Sequence, residues 1–385
     1  MSGKLKLLCL TAAVLMLNTL FAADKPLKIF IMAGQSNMQG QANITTIERL
    51  KYTDDSKAMH AEMMGDNGKL NAAEGAYAVY FTAGDMKFGK PRELSVQKGP
   101  LKPGYDQDAV PGTKFGPEYT FGLQLKKHLN EPFLIIKAAW GGRDLRQQFR
   151  SPSAGPFEKE TCRHGLPTGF YYKRTLELVQ DVLKDPAQYH PQYNKDAGYE
   201  IAGFVWFQGY NDLIAKYPDS KYTEYSRLMS CFIRDIRKDL NVPKMPFVIG
   251  VMGIGGPIEN PSDKQFLFRE AQAAPAAMPE FKGNVSAVRT DKYWDMELKR
   301  VQTKLSEEVK KKILAADPKK GGKALSKAIQ SESKKLAPEL LSPEELKILQ
   351  NGQSNGGYHY MGSAYTYGKI GQAFADSMAE LLKNK

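Results

Sequence analysis

LKIFIMAGQSNMQG, residues 27–40, joins an apolar run to an abruptly polar one. Leu27-Lys28-Ile29-Phe30-Ile31 reads as a buried β-strand, since a strand covered on both faces shows a continuous apolar run rather than alternation. The run ends in Gly34-Gln35-Ser36-Asn37, small or amide residues with no charge among them. Two readings compete. One is an ordinary strand-to-helix turn, which favours Gly and Asn for backbone reasons. The other is a turn that presents Ser36 as a nucleophile.

Outward from this stretch, four more β-rich apolar runs recur: Pro132–Ala139, Glu200–Phe207, Pro246–Met252 and Asn284–Val288. Helical patterns lie between or after them, at Glu118–His128, Tyr171–Leu183, Tyr222–Leu240, Lys264–Ala277 and Ser363–Leu382. In the third of these, Tyr225, Leu228, Met229, Phe232, Ile233 and Ile236 recur at three- and four-residue spacing on one face. Strand–helix alternation of this kind predicts an α/β fold, a parallel sheet covered by helices on both sides. Two stretches break the pattern and read as insertions: residues 51–115, rich in Gly, Lys, Asp and Pro with a few possible short strands such as Ala78–Thr82, and residues 297–350, charged and helical with breaks at Pro318–Gly322, Pro338 and Pro343.

The 385-residue chain begins with a basic and then apolar stretch, Lys4 and Lys6 followed by Leu7–Phe21, before Ala22-Ala23. Residues 1–23 therefore read as a secretory signal peptide that carries Cys9 away with it, leaving 24–385 as one domain, periplasmic or secreted. Beyond that stretch, no run is long enough and apolar enough to span a membrane. Export permits a disulfide between Cys162 and Cys231, and two unpaired buried cysteines suit the sequence equally well. Neither sits in a cluster with metal-ligand spacing.

The formal charge of +12 is concentrated. Residues 299–335 hold twelve Lys or Arg against four Asp or Glu, and the rest of the chain after residue 23 is nearly neutral. The basic segment has no interleaved aromatics for base stacking, so it reads as a solvated helix surface rather than a nucleic-acid site. Such a patch also suits an acidic polysaccharide or an anionic envelope surface.

Ligands of open parallel sheets bind beyond the carboxyl ends of the strands. Two further strands end, like the first, in polar turns: Ala138-Ala139-Trp140-Gly141-Gly142-Arg143-Asp144, and Gln208-Gly209-Tyr210-Asn211-Asp212. Three such turns suit acyl transfer. A serine needs a base, most often histidine. A developing oxyanion needs donors already aimed at it, each contributing about 3 kcal/mol. Ser36, the Gly141 and Gly142 backbone, and Asn211 or Gln208 would supply nucleophile and donors. Among five histidines, His60, His128, His164 and His190 lie in the irregular insertion, a Lys-rich helix, a loop and a polar linker, whereas His359 sits in a Gly-rich loop, Asn355–Gly362, before the last helix. Gln35 and Arg143, beside the first and second turns, are candidates for substrate contact, and Arg150 is a weaker one.

With Gly34-Gln35-Ser36-Asn37-Met38, Trp140-Gly141-Gly142, Trp206-Phe207-Gln208-Gly209 and a histidine before the C-terminal helix, the chain resembles the SGNH-hydrolase superfamily, in its branch of sialate O-acetylesterases and acetylxylan esterases. The Gly209-x-Asn211-Asp212 run is similar to the superfamily block whose asparagine helps form the oxyanion hole. The resemblance implies a flavodoxin-like three-layer sandwich on a five-stranded parallel sheet, catalysis by Ser36, His359 and an acid without metal or cofactor, and acetylated oligo- or polysaccharides as substrates. Ser36 is followed by Asn37-Met38, unlike the GxSxG elbow of α/β-hydrolases. One departure stands out. Superfamily members carry an aspartate three residues before the histidine, where this chain has Gly356, and branch members that use an acid after the WxQG block often have Glu where this chain has Tyr210. Asp212 is then the nearest carboxylate to orient His359, with a backbone carbonyl as the other option. The missing acid also motivates a second expectation, a non-catalytic glycan-binding protein on the same scaffold.

Overall fold

The structure, a computed structural model, describes residues 25–384 except 66, 85, 88–89, 107–111, 163–164 and 216. The leader segment 1–23 and His164 therefore lie outside the described residues. Seven strands form the main sheet: β1 (Leu27–Gly34), β2 (Ala76–Ala83), β3 (Leu94–Pro100), β4 (Phe133–Ala139), β5 (Tyr199–Phe207), β6 (Phe247–Val251) and β7 (Val285–Arg289). Their spatial order is β7-β6-β5-β1-β4-β2-β3. All neighbours are parallel except the β2–β3 pair at one edge.

The five runs read from the sequence are β1, β4, β5, β6 and β7, in the doubly wound order 4-1-5-6-7 that makes the fold flavodoxin-like. The expected strand count is corrected from five to seven, because residues 51–115 supply β2 and β3. β2 is buried along most of its length and contains Ala78–Thr82, the possible short strand read within that insertion. β3 is nearly all exposed and carries Lys98 and Pro100, the polar edge expected of a strand that must not recruit another chain.

Alternation along β1 sends Ile29, Ile31 and Ala33 into one core and Phe30 and Met32 into the other, which is why the run had to be apolar throughout. Helices α1 (Ser36–Gln39), α2 (Asp54–Met63), α3 (Pro117–His128), α4 (Phe170–Lys184), α5 (Tyr210–Ile214), α6 (Thr223–Asp239), α7 (Lys264–Ala273), α8 (Met296–Ala316), α9 (Gly322–Leu340), α10 (Pro343–Gly352) and α11 (Ala364–Lys383) surround the sheet. Residues of α4 and α6 fill the first core, with Leu228, Phe232 and Ile236 fully buried as the spacing required. Residues of α3 and α11 fill the second. These two helices pack closely at Gly371, where a Cβ would lie 2.1 Å from Thr120 Oγ1 and 2.3 Å from the Pro117 carbonyl. Each fully buried large side chain contributes roughly 1.5–3 kcal/mol.

Helices α8, α9 and α10 build a third, smaller core from Leu298, Val301, Leu305, Val309, Ala337, Leu341 and Ile348. Asp295 caps α8 by accepting from Leu298 N, and its carboxylate takes a bidentate pair of hydrogen bonds from Arg49 at 3.0 and 2.9 Å, both side chains buried. Pro338 does not break the helix as expected. It lies in the last turn of α9, which continues to Leu340 without the N–H that would have met the Lys334 carbonyl, and Pro343 opens α10 behind a Ser342–Glu345 capping box. Among the described residues no helix is long and apolar enough to cross a membrane. Cys162 and Cys231 are both buried and unpaired.

Candidate active site

The register of the sheet sets the site. Gly34 pairs with Ala139 on one side and with Phe207 on the other, so β1, β4 and β5 end level and their three turns start at the same height. The switch in winding direction lies between β1 and β5, where open α/β sheets form a crevice. Gly34 is required at this point, because a Cβ there would stand 2.1 Å from the Phe207 carbonyl oxygen. The same carbonyl accepts from Gln35 N at 3.3 Å, and the chain turns into α1 with Ser36 at its first position. Beneath α1 a buried ion pair, Lys137 with Glu118 at 2.8 Å, sends further Nζ hydrogen bonds to the Gln39 and Tyr105 carbonyls.

Gln35 is buried, and its side chain works as a strut. Its Oε1 accepts from Gln208 Nε2 (3.2 Å), Gly209 N (3.1 Å) and Asn211 N (3.4 Å), and its Nε2 donates to Asn211 Oδ1 (3.1 Å). The expectation that Gln35 contacts substrate is therefore corrected. With Asn211 Oδ1 engaged, its Nδ2 faces no acceptor among the described residues. Gln208 also leaves the list of oxyanion donors. Its Nε2 donates to Gln35, to the Arg143 carbonyl (2.9 Å) and to Asp212 Oδ2 (2.5 Å), while its Oε1 accepts from Tyr225 (3.2 Å).

Asp212 does not meet His359. Its buried carboxylate accepts from Leu145 N (2.9 Å), Arg146 N (3.1 Å), Gln208 Nε2 and the Tyr217 hydroxyl (2.5 Å), so it anchors the second turn instead. Burial, with the Asp144 charge adding, pushes its pKa up to about 7. The Arg143 guanidinium lies 4.8 Å from the centre of the Tyr171 ring, and the residue is largely buried. Arg150 donates to the carbonyls of Gly155, Arg146, Ala154 and Pro156.

The second turn is open where it faces Ser36. Trp140 N donates to the Gly34 carbonyl at 3.1 Å, whereas the N–H groups of Gly141 and Gly142 donate to no acceptor among the described residues. A Cβ on Gly141 would lie 2.8 Å from Gln39 Oε1 and 3.6 Å from Ser36 Cβ, so the Gly141 backbone lies against the nucleophile turn.

His359 is held in a tight loop between α10 and α11. Ser354 N and Asn355 N donate to the Met361 carbonyl, and His359 N donates to the Gly356 carbonyl at 2.9 Å. Tyr360 and Met361 adopt left-handed backbone angles (φ 50° and 61°), a cost of about 1 kcal/mol or more each. The Tyr360 hydroxyl offsets it from a buried seat, accepting from Gly253 N at 2.7 Å and bonding Thr290 Oγ1 at 2.7 Å. Asn37 Nδ2 donates to the Tyr358 carbonyl at 3.3 Å and Tyr367 donates to Asn37 Oδ1 at 2.8 Å, so the neighbour of His359 is bonded to the neighbour of Ser36.

The ring of His359 has one hydrogen bond, Nδ1 to Asn355 Oδ1 at 3.2 Å. The same Oδ1 accepts from Gly356 N at 2.7 Å, and a backbone N–H can only donate. The atom facing both must be oxygen, so Nδ1 carries the proton and Nε2 is left with its lone pair. Burial, with the Lys114 charge adding, pushes the imidazole down to about 4. Neither Ser36 Oγ nor His359 Nε2 has a hydrogen-bond partner among the described residues, and both residues are partly exposed. Asn355 carries no charge, so its residue type alone does not mark it as the partner of a histidine. The usable signal was an amide four residues before the histidine, inside a loop too short to send the ring elsewhere.

The other described histidines have other duties: His128 meets Asp376, His190 is buried against the Gly75 carbonyl, and His60 lies in α2. Among the described residues no group of three or more His, Cys, Asp or Glu is gathered as a metal would require.

A family model described as carbohydrate esterase, sialic acid-specific acetylesterase, matches residues 26–312, a span that holds Ser36 and Asn211 and stops short of His359. Among solved structures, the chain is similar to a protein from Arabidopsis thaliana at 18% identity, over 69% of this chain and 86% of that one, with a TM-score of 0.42. It is similar to a carbohydrate acetylesterase from Xanthomonas citri at 15% identity, over 68% and 49%, with a TM-score of 0.42. A third similar structure is NanS, at 14% identity over 69% and 78%, with a TM-score of 0.37. No curated protein matches the sequence.

Proposed function

The chain belongs to the carbohydrate esterase family of sialic acid-specific acetylesterases, and from that premise we propose that it is an exported enzyme that removes O-acetyl groups from sugars through an acyl-enzyme on Ser36. The observation that carries this reading is the level ending of β1, β4 and β5, which gathers Ser36, the open N–H groups of Gly141 and Gly142 and the open Nδ2 of Asn211 against the loop of His359.

Ser36 Oγ attacks the acetyl carbonyl as its proton passes to His359 Nε2. The oxyanion accepts from the Gly141 and Gly142 N–H groups and from Asn211 Nδ2, donors fixed before the reaction and therefore not in need of reorganisation. The C–O bond to the sugar breaks, and the sugar oxygen leaves with the proton from His359. Water then attacks the acetyl-Ser36 carbonyl with His359 as base, and acetate departs from the restored serine. Asn355 is a positioning residue that holds the imidazole in the Nδ1–H form. An amide does this without the charge that a carboxylate would offer the imidazolium, and a base held at about 4 is neutral through the whole neutral range.

Among the described residues no carboxylate bonds the His359 ring, which also favours a second reading, a glycan binder that keeps the scaffold without turnover. One experiment separates them. The esterase hydrolyses p-nitrophenyl acetate, releases acetate from acetylated glycans and is labelled at Ser36 by a fluorophosphonate, and Ser36→Ala loses all three. Sugar binding without turnover or labelling would leave the binder. Residues 1–23 supply the leader that supports export, tested by the N-terminus of the protein recovered outside the cytoplasm.

A further inference from the structure

Tyr358 and Ile214 are two of the few large apolar side chains left exposed among the described residues, at 49% and 60%, and both belong to elements that flank Ser36. Tyr358 is the residue whose carbonyl Asn37 holds, and its ring lies 4.5 Å from that of His359. From the other side comes Tyr210, between Gly209 and Asn211, whose N–H groups are bound by Gln35. The two tyrosine rings approach to 6.0 Å between centres with 36° between their planes, a shallow continuous surface rather than a closed stack. Neither hydroxyl has a hydrogen-bond partner among the described residues. Ile214 lies four residues after Tyr210 on α5, on the same face and about 6 Å further on.

Exposed apolar groups grouped beside polar site residues suit a ligand surface. Its chemistry suits one kind of ligand. A pyranose ring presents a face of C–H groups, slightly positive, which meets the negative face of an aromatic ring, while its hydroxyls reach outward to acceptors and donors at the rim. We infer that Tyr210 and Tyr358 form a platform for a pyranose ring of the acetylated substrate, with Ile214 extending it to a second sugar residue. The inference rests on the esterase reading of Ser36 and deepens it. It names the substrate as an acetylated oligosaccharide seated on aromatic rings, in preference to a simple alkyl acetate.

Two readouts test it, one independent of turnover. Binding of a partially acetylated xylo-oligosaccharide, and in a second arm of an O-acetylated sialoside, is measured by calorimetry on the Ser36→Ala protein. Adding Tyr358→Ala or Tyr210→Ala weakens binding of the preferred sugar roughly tenfold, and Tyr358→Phe restores it. In the Ser36 protein, Tyr358→Ala lowers kcat/KM for the oligosaccharide roughly tenfold more than kcat/KM for ethyl acetate, mainly through KM. Equal losses on both substrates would make Tyr358 a mere support for His359 and overturn the platform, as would binding unchanged by the alanine variants or absent for both sugars. Sugar binding that depends on the tyrosines without any ester turnover would instead overturn the esterase reading and leave the platform standing.

Discussion

The two sides of Ser36 are built differently. On the β5 side, Gln35, Gln208, Asn211 and Asp212 lock into one network in which the Asp212 carboxylate alone accepts four hydrogen bonds, all of it buried or nearly so. On the α11 side, the His359 ring is half-buried and has one bond, to Asn355. A network this fully engaged leaves only Asn211 Nδ2 to offer a substrate, and changing one member orphans several others. A ring with one bond and, among the described residues, an unpartnered nitrogen can exchange protons at little structural cost. Under the proposed mechanism the first side supplies rigidity and the second the base, and each side makes a separate prediction.

The largest effect belongs to the loop side. His359→Ala lowers kcat/KM for acetyl esters by about 10⁴-fold, the order seen when a base is removed from such a unit, with little change in the urea midpoint. An activity loss within tenfold of the unmodified protein would remove His359 from the reaction. Asp212→Ala has the opposite signature. It strips the acceptor from two backbone N–H groups, Gln208 and Tyr217, so it costs roughly 3–5 kcal/mol of stability by denaturant titration. Its activity per folded molecule falls far less than that of His359→Ala. If Asp212→Ala proved as inactive as His359→Ala at unchanged stability, the division between the two sides would fail.

Asn355→Ala is intermediate. Losing the acceptor at Nδ1 frees the ring to take the other tautomer, which carries its proton on the nitrogen that should face Ser36. The expected loss is about 10- to 100-fold in kcat with KM little changed, the scale of a contribution to general base catalysis rather than of the base itself. Restoration by Asn355→Asp, and no restoration by Asn355→Leu, distinguishes an acceptor from a packing role.

Legibility in the sequence followed the same division. The five central strands and the helices between them were readable because burial on both faces forces continuous apolar runs and 3.6-residue spacing. β3 was not, since an exposed edge strand has no apolar pattern to show. Ser36, Gly141, Gly142 and Asn211 were readable as polar turns at the ends of those strands, where the register of the sheet brings them level. The partner of His359 was not. Asp212 was the nearest carboxylate along the chain, but hydrogen-bond partners are chosen in space, and its oxygens were already claimed by the turn after β4. The roles of Gln35 and Gln208 escaped for the same reason. A polar residue beside a nucleophile can face the substrate or hold the frame, and only its contacts tell which.

The smallest and sharpest test is pH. His359 titrates at about 4, below the ordinary value of about 6.5, so the base form is present from neutral pH down to that point. The acid limb of kcat/KM should fall tenfold per unit below about 4, and Asn355→Asp should move it up by about 1–2 units, because a carboxylate beside the ring favours the imidazolium. The same groups act on stability with opposite signs. A histidine depressed in the native state makes the unfolded chain the better proton binder, so its contribution is complete above about pH 6.5 and is lost as pH falls toward 4. Asp212, raised to about 7, is the reverse: its contribution is present below the unfolded carboxylate range and is lost as pH rises toward 7. Over the shared window the two slopes oppose each other. His359→Gln, which cannot titrate, should therefore leave a stability that falls as pH rises from 4 to 7, whereas Asp212→Asn should leave one that rises. Identical profiles for the two variants would mean that the locked side and the open side do not differ in the way their hydrogen bonds require.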